Sequence, residues 1–186
     1  MKSKKLSEKE ILKRASKIKL LLTDVDGVLT DTGVYYSSKG EELKRFSIRD
    51  GMGVERLRKL VDVETGIVTR ENTDIVFTRA QKLKIKELHL GSMEKEKVLE
   101  EIIERKKIDK SEIAFIGDDT NDIEIIKEVG LSACPNDAMI HVKKICDIIL
   151  DNKGGNGAFR EFAELIIEAK HKKSKKKRKD NDESKS

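Results

Sequence analysis

Two aspartates stand one residue apart at the end of an apolar run near the start of the chain. Ile18 and the three leucines at 20–22 are typical of a β-strand that is buried on both faces. In an extended chain, side chains at positions i and i+2 point the same way, so Asp24 and Asp26 are expected to converge on one site. Buried carboxylates need a compensating cation, and Mg²⁺ prefers oxygen ligands. The pair alone therefore fits either a magnesium site or, equally well, an ordinary acidic turn.

Polar residues that could complete such a site follow two later apolar runs. Thr69 comes directly after the run 66–68, and Lys95 opens a helical pattern further on. Another apolar run, 113–116, precedes a group of aspartates: Asp118, Asp119 and Asp122. An acidic cluster with one hydroxyl and one lysine suits a phosphoryl group bound through Mg²⁺. The carboxylates would hold the metal, the metal and the lysine would neutralise the phosphate, and the hydroxyl would orient it.

The elements that position these residues are predicted from the periodicity of the apolar positions. Strands are expected at 18–25, 64–68, 88–90, 113–116, 131–134 and 147–150, and helices near 8–16, 54–61, 75–83, 98–103, 121–129, 137–144 and 158–169. Two short β-prone runs around a glycine turn between residues 34 and 46 predict a protruding hairpin. The alternation of strands and helices predicts an α/β fold with a doubly wound, mainly parallel sheet. Ligands bind such sheets beyond the carboxyl ends of the strands, where the strand order reverses.

The charge of the chain is distributed unevenly. Its 186 residues carry a formal net charge of +5, but residues 170–186 contain nine Lys or Arg against three Asp or Glu. Residues 1–169 are therefore close to neutral, which argues against nucleic acid as the main partner. We expect residues 1–17 to be a helical extension, residues 18–169 one globular domain and residues 170–186 a disordered basic tail.

The apolar residues and the cysteines indicate the cellular compartment in which the protein is expected. No apolar run approaches the roughly 18 residues that cross a membrane, and the first residues lack the apolar core of a signal peptide. Cys134 and Cys146 have neither the number nor the spacing of a disulfide framework or a metal site. These features predict a cytoplasmic protein that makes no membrane contact.

Four motifs resemble those of the haloacid dehalogenase-like phosphatases. They are Asp-Val-Asp-Gly at 24–27, Val-Thr at 68–69, Lys95, and Gly-Asp-Asp-Thr-Asn-Asp at 117–122. The resemblance implies a Rossmann-like fold in which Asp24 attacks phosphorus and forms an aspartyl-phosphate. It also implies that Asp26 acts as general acid and then general base, and that Thr69 and Lys95 contact the transferring phosphoryl group.

The same resemblance implies a set of Mg²⁺ ligands. These are the Asp24 carboxylate, the main-chain carbonyl of Asp26 and the Asp118 carboxylate. Asp119 and Asp122 are expected behind them, where they would orient ligands and waters. The second aspartate of the first motif favours phosphate esters over carbon–halogen bonds, because the alcohol that leaves an ester needs an acid.

The spacing of the motifs indicates which subclass of these phosphatases the chain resembles. Only 42 residues separate Asp26 from Thr69, and 25 separate Thr69 from Lys95. Larger members of the superfamily insert a cap domain at one of these places, whereas this chain has room only for the hairpin. The capless arrangement leaves the phosphate site open to water, so either the substrate is large or a neighbouring subunit supplies a lid.

Two further segments resemble a particular family of sugar-acid phosphatases. Residues 40–53 and 154–161 are similar to segments of the 3-deoxy-D-manno-octulosonate 8-phosphate phosphatases, and the resemblance covers about residues 18–165. It implies a homotetramer assembled through the hairpins, in which the glycine-rich segment reaches a neighbour's site. Arg49 and Asp50 are then candidates for contact with a small phosphorylated sugar acid.

The chain departs from that family's pattern at two places. Arg70 stands where glycine is usual after Thr69 and is followed by Glu71, and Asn156 stands where arginine is usual. Arg70 and Glu71 are therefore candidate substrate-binding residues. The resemblance implies a phosphorylated 2-keto-3-deoxy sugar acid as the substrate, foremost 3-deoxy-D-manno-octulosonate 8-phosphate. The alternative is another small phosphate ester, such as a nine-carbon, sialic-acid-type 9-phosphate, because a glutamate at position 71 is similar to relatives that act on that class. A non-catalytic scaffold or nucleic-acid binder that uses the basic tail ranks below both.

Overall fold

The computed structural model describes residues 6–183, and these contain two sheets and seven α-helices. The strands are β1 (Leu20–Thr23), β2 (Thr30–Ser37), β3 (Gly40–Phe46), β4 (Glu64–Val68), β5 (Glu87–His89), β6 (Ile113–Ile116), β7 (Leu131–Cys134) and β8 (Ile148–Ile149). The helices are α1 (Glu8–Ala15), α2 (Ile48–Val61), α3 (Asp74–Leu83), α4 (Lys95–Lys106), α5 (Ile123–Glu128), α6 (Ile140–Lys143) and α7 (Ala158–Glu183). Two 3₁₀ turns, Lys110–Glu112 and Thr120–Asp122, precede β6 and α5.

The main sheet has six strands in the order β5-β4-β1-β6-β7-β8, and every neighbouring pair is parallel. From β1 the chain builds outward through β4 to β5, then returns to the other side of β1 and builds through β6 to β8. The strand order therefore reverses at β1, which is where a ligand site is expected in such a sheet. The predicted doubly wound, mainly parallel α/β fold is confirmed.

The register of the central strands brings their carboxyl ends to one edge. Thr23, the last residue of β1, pairs with Ile67 of β4 and with Ile116 of β6. Each of the three strands ends at, or one residue after, its residue in this register. Asp24, Thr69 and the loop after Ile116 are therefore placed beside one another by the sheet itself.

The side chains of β1 divide between two apolar cores, one on each face of the sheet. Leu21 packs with Ile67 and Phe162 in the core beneath α2 and α7. Leu20 and Leu22 pack with Phe115 in the core beneath α4 and α5. This two-sided burial explains the unbroken leucine run and holds the strand that carries Asp24 rigidly in place.

The predicted hairpin is present as β2 and β3, which pair antiparallel as a separate two-stranded sheet. The chain passes from this hairpin directly into α2, and from β4 through a short loop into α3. Within residues 6–183 neither junction holds a cap domain, in agreement with the motif spacing.

Helix α2 begins six residues earlier than its apolar pattern predicts. The Ser47 hydroxyl caps it by accepting hydrogen bonds from the backbone N–H groups of Arg49 and Asp50. Gly53 weakens helix propensity at its position, but a Cβ there would lie 3.2 Å from the Phe159 ring. The glycine therefore favours close packing of α2 on α7.

Helix α7 continues far beyond residue 169, where the sequence analysis ends it. The backbone of 170–183 is helical rather than irregular, so that boundary is wrong. Lysine and arginine are good helix formers, and the segment contains no glycine or proline to stop the helix. Lys172 also pairs with Glu168 one turn earlier, at 2.6 Å. The division of the chain at residues 17 and 169 into an extension, a domain and a tail stays a prediction, and residues 184–186 lie outside the described part.

None of the helices formed by residues 6–183 combines the length and the apolar character that crossing a membrane requires.

Candidate active site

Asp24 lies at the centre of the site, in the loop that leaves β1. Its Oδ1 accepts a hydrogen bond from the backbone N–H of Val25 at 2.7 Å, and its Oδ2 lies 2.7 Å from the Lys95 Nζ. The side chain is buried except for the edge that faces the cleft. Each oxygen is therefore oriented by a donor while one edge of the carboxylate stays accessible.

Lys95 is the first residue of α4 and is completely buried. Its Nζ lies 2.7 Å from Asp24 and 2.6 Å from the Oδ1 of Asp122. Burial alone lowers the pKa of this lysine, but the charges of Asp24 and Asp122 outweigh burial and the net effect is a raised pKa. Lys95 is therefore a fixed cation behind Asp24, and it does not line the cleft.

Asp122 organises the loop that follows β6. Its Oδ2 accepts hydrogen bonds from the backbone N–H groups of Asp118 and Asp119, at 2.9 and 3.3 Å, while its Oδ1 is held by Lys95. Asp119 in turn caps the 3₁₀ turn by accepting from the N–H of Thr120. These contacts support the expectation that Asp122 orients other groups.

Gly27 allows the first and last motifs to approach each other. Its φ is +81°, in the region that favours glycine, and a Cβ at this position would lie 2.0 Å from the Asp118 Oδ2. Any side chain here would push apart the two loops that carry Asp24 and Asp118.

The carboxylates fit a divalent cation. One oxygen from each of Asp24, Asp118 and Asp122 lies within 4.8 Å of the others. The Oδ1 of Asp118 is buried and has no hydrogen-bond partner in the described part of the chain. Burial, followed by the charges of Asp122 and Asp24, raises the pKa of Asp118 to about 8. An unpartnered oxygen among repelling carboxylates is what a bound Mg²⁺ would satisfy, with Asp24 and Asp118 as ligands.

We expect the metal-free protein to lose stability as the pH rises. Asp118 ionises near its ordinary pKa of 3.8 in the unfolded chain but near 8 in the folded protein. Between these values the folded state retains a proton that the unfolded state has released, so the free energy of unfolding should fall from about pH 5 to pH 8. Asp118→Asn should flatten this fall, and Mg²⁺ should oppose it in the unaltered protein. Thermal unfolding in EDTA across this range measures the effect, and an equally steep fall in the variant would contradict it.

Asp26 is held by two residues that the sequence analysis did not single out. Lys44 of β3 reaches in from the hairpin and places its Nζ 2.7 Å from the Oδ2 of Asp26. The Thr30 hydroxyl lies 3.1 Å from the Oδ1. Lys44 is one charged residue in a hairpin of mixed polarity, so its pattern alone predicts an exposed side chain.

The polar groups surround an open cleft of about 460 Å³ at the carboxyl edge of the sheet. Its lining consists of Asp24, Asp26, Thr32, Thr69, Arg70, Glu71, Met93, Asp118, Asp119 and Asn121. The sheet thus brings together the aspartates of the first and last motifs with Thr69 and its two neighbours. Arg70 also places a guanidinium nitrogen 3.7 Å from the Met93 sulfur, at the rim.

Asp50 has a different role from the predicted one. It is buried, and its two carboxylate oxygens accept hydrogen bonds from the backbone N–H groups of Gly157 and Arg160, at 3.2 and 2.9 Å. The carboxylate therefore caps the start of α7 and is not free to contact a substrate. Arg49 is exposed and lies outside the cleft of its own subunit, so its predicted contact stays a prediction.

The fold and the site together define a class of protein. A parallel sheet with an aspartate after the strand at its switch point, a buried lysine and a later cluster of aspartates is the arrangement of haloacid dehalogenase-like hydrolases. The model of that family, described as haloacid dehalogenase-like hydrolase, matches residues 29–162, and the chain belongs to it. The match begins after Asp24 and Asp26. The place of these two residues in the site therefore depends on the geometry and on relatives that are similar over most of the chain.

Those relatives are sugar-acid phosphatases. The chain is 37% identical, over 84% of its length and 87% of the relative's, to the 3-deoxy-D-manno-octulosonate 8-phosphate phosphatase of Haemophilus influenzae. The crystal structure of the Yersinia pestis enzyme of that name is 35% identical, covers 88% of each chain and superposes with a TM-score of 0.84. The Moraxella catarrhalis enzyme, crystallised with magnesium, phosphate and a KDO molecule, is 34% identical, covers 87% of this chain and 92% of its own, and gives the same TM-score.

Proposed function

We propose that the protein is a Mg²⁺-dependent phosphatase of 3-deoxy-D-manno-octulosonate 8-phosphate. The observation that carries the proposal is that the similarity to enzymes of that activity extends over nearly the whole of both chains. A shared motif set alone would support only the hydrolase family. Here the hairpin, the capless cleft and the acidic cluster all occur within the region of similarity.

The residues around the cleft suit a two-step transfer of the phosphoryl group. An Asp24 carboxylate oxygen bonds to phosphorus while the bond to the sugar oxygen breaks, and that oxygen receives a proton from Asp26. Water then attacks phosphorus, Asp26 takes a proton from it, and phosphate leaves with Asp24 restored. Mg²⁺ bound by Asp24, Asp118 and the Asp26 carbonyl would supply charge neutralisation for the transferring group.

Two other predicted residues have different positions: Thr69 borders the cleft, whereas Lys95 lies behind Asp24 and would act on the phosphate only through it. The Thr69 hydroxyl accepts a hydrogen bond from the backbone N–H of Glu71, at 3.2 Å. This leaves the hydroxyl proton free to be donated to a phosphate oxygen. Lys95 balances the charges of Asp24 and Asp122, so the nucleophile stays anionic as the phosphate approaches.

Assembly into a tetramer remains part of the proposal. Four large apolar side chains on or beside the hairpin are exposed: Tyr35, Tyr36, Leu43 and Ile48, the last at 82%. A cluster of this kind on a protruding element is typical of a contact surface, and a neighbour bound there could cover the open cleft. The two cysteines are free thiols, which suits a reducing compartment such as the cytoplasm.

Phosphate release from a panel of esters tests the proposal. The panel contains 3-deoxy-D-manno-octulosonate 8-phosphate, a nine-carbon sialic-acid-type 9-phosphate and glycerol 3-phosphate, each assayed with Mg²⁺ and with EDTA. We expect the eight-carbon substrate to have the highest kcat/KM and EDTA to abolish turnover. A preference for the nine-carbon ester would favour the second candidate, which the position of Glu71 in the cleft supports. Activity that persists in EDTA would contradict the mechanism.

A further inference from the structure

Lys44 is buried although it belongs to a hairpin that protrudes from the domain. Its side chain is 1% exposed, whereas Lys39, at the tip of the same hairpin, is exposed. Its Nζ lies 2.7 Å from the Oδ2 of Asp26, 3.4 Å from Glu41 and 4.0 Å from Glu71. The closest partner of this ammonium is therefore the carboxylate to which the proposed mechanism assigns proton transfer.

Burial of a lysine costs free energy unless its charge is paired, so the position of Lys44 is unlike that of a solubilising surface residue. The ammonium is paired by three carboxylates and forms its hydrogen bond with Asp26. Such a group can orient Asp26 without itself exchanging a proton.

The contacts of Asp26 distinguish its two oxygens. Oδ2 accepts a hydrogen bond from the Lys44 ammonium at 2.7 Å, and Oδ1 accepts a longer one from the Thr30 hydroxyl at 3.1 Å. The ammonium can only donate, whereas the Thr30 hydroxyl can turn its proton to the Val25 carbonyl, 3.5 Å away, and accept instead, so a protonated Asp26 carries its proton on Oδ1.

We propose that Lys44 is the positioning residue for Asp26: by occupying Oδ2 it directs the transferable proton to Oδ1 and fixes that oxygen toward the leaving group. The inference depends on the proposed function and deepens it. In the transfer, the proton moves from Asp26 to the ester oxygen as the bond to phosphorus breaks. Lys44 keeps its own proton throughout, and its role connects the hairpin to the chemistry.

If Lys44 acts through Asp26, the loss of activity on replacing Lys44 should depend on the leaving group of the ester. Alkoxides leave slowly without a proton, whereas p-nitrophenolate leaves readily without one. A residue that acts only through proton donation should therefore matter for alkyl esters and hardly at all for p-nitrophenyl phosphate. A residue that only stabilises the fold should lower both activities by the same factor.

The experiment compares kcat/KM for p-nitrophenyl phosphate, phenyl phosphate, glycerol 3-phosphate and the best sugar-acid phosphate. This ratio reports steps through phosphoryl transfer, so water attack on the aspartyl-phosphate does not enter it. For Lys44→Met we expect a loss of about 30-fold or more on the alkyl esters and less than about threefold on p-nitrophenyl phosphate. Lys44→Arg should restore most of the loss, because the charge is kept, and Lys39→Met on the same hairpin should match the unaltered protein.

A double-variant cycle with Asp26→Asn completes the test. If Lys44 acts through Asp26, the double variant should be no slower on alkyl esters than Asp26→Asn alone. Equal losses on all esters, or a double variant in which the two losses multiply, would overturn the inference while leaving the phosphatase assignment intact. Failure of the unaltered protein to hydrolyse any ester would instead overturn the proposed function, and this inference with it. Size-exclusion chromatography and thermal unfolding check that each variant is folded and assembled.

Discussion

Replacing Asp24 with asparagine is expected to abolish turnover of every phosphate ester. The amide cannot attack phosphorus or hold a cation as the carboxylate does, so kcat should fall by a factor on the order of 10⁴ or more. The fold should survive, because the buried Lys95 ammonium keeps Asp122 as a partner at 2.6 Å once the Asp24 charge is removed. Loss of the charge also relieves the repulsion that raises the pKa of Asp118. Melting temperature in EDTA and phosphate release with Mg²⁺ measure the two effects.

Asp62→Asn provides a matched control. Asp62 is exposed at the end of α2, away from the carboxyl edge of the sheet, and its φ is +51°. Asparagine tolerates this left-handed conformation well, so the control removes one carboxylate without disturbing the backbone. It should retain full activity. A folded Asp24→Asn protein that still released phosphate at more than about a hundredth of the normal rate would exclude Asp24 as the nucleophile.

The sequence predicts those site residues that directly follow strands of the main sheet. β4 and β6 have the predicted bounds. Because parallel strands end at a common edge, motifs placed directly after β1, β4 and β6 must meet. Asp24, Thr69 and Asp118 could therefore be assigned to one cleft without knowledge of any side-chain contact.

What the sequence could not predict depends on contacts between residues distant in the chain. Lys44 reaches Asp26 across 18 positions, and Asp50 caps a helix more than 100 residues away. Neither position has a periodicity that distinguishes it from a surface charge. The same limit applies to the end of α7, where the loss of apolar positions after residue 169 gave no sign that the helix continues. Charged residues give weak signals until their partners are known.

Lys95→Met is expected to cost both stability and activity. The buried ammonium lies between Asp24 and Asp122, at 2.7 and 2.6 Å, and its removal leaves two buried carboxylates without a counter-charge. Breaking a buried pair in this way typically costs about 3–5 kcal/mol of unfolding free energy. Activity should fall by about a hundredfold or more, because the nucleophile loses the cation that orients it. Denaturant unfolding in EDTA measures the loss of stability, and kcat with Mg²⁺ measures the loss of activity.

Two variants separate charge balance from catalysis at Lys95. Lys97→Met removes an exposed lysine of the same helix, paired with Glu94 at 2.8 Å, and should leave stability nearly unchanged. Adding Asp122→Asn to Lys95→Met removes one of the two uncompensated carboxylates, so it should recover part of the stability without recovering activity. If Lys95→Met were as stable as the unaltered protein, Asp24 and Asp122 would not need the lysine as a counter-charge. The double variant could also recover turnover. In that case Lys95 would be needed only for stability, because Asp24 could attack phosphorus once the charges were balanced.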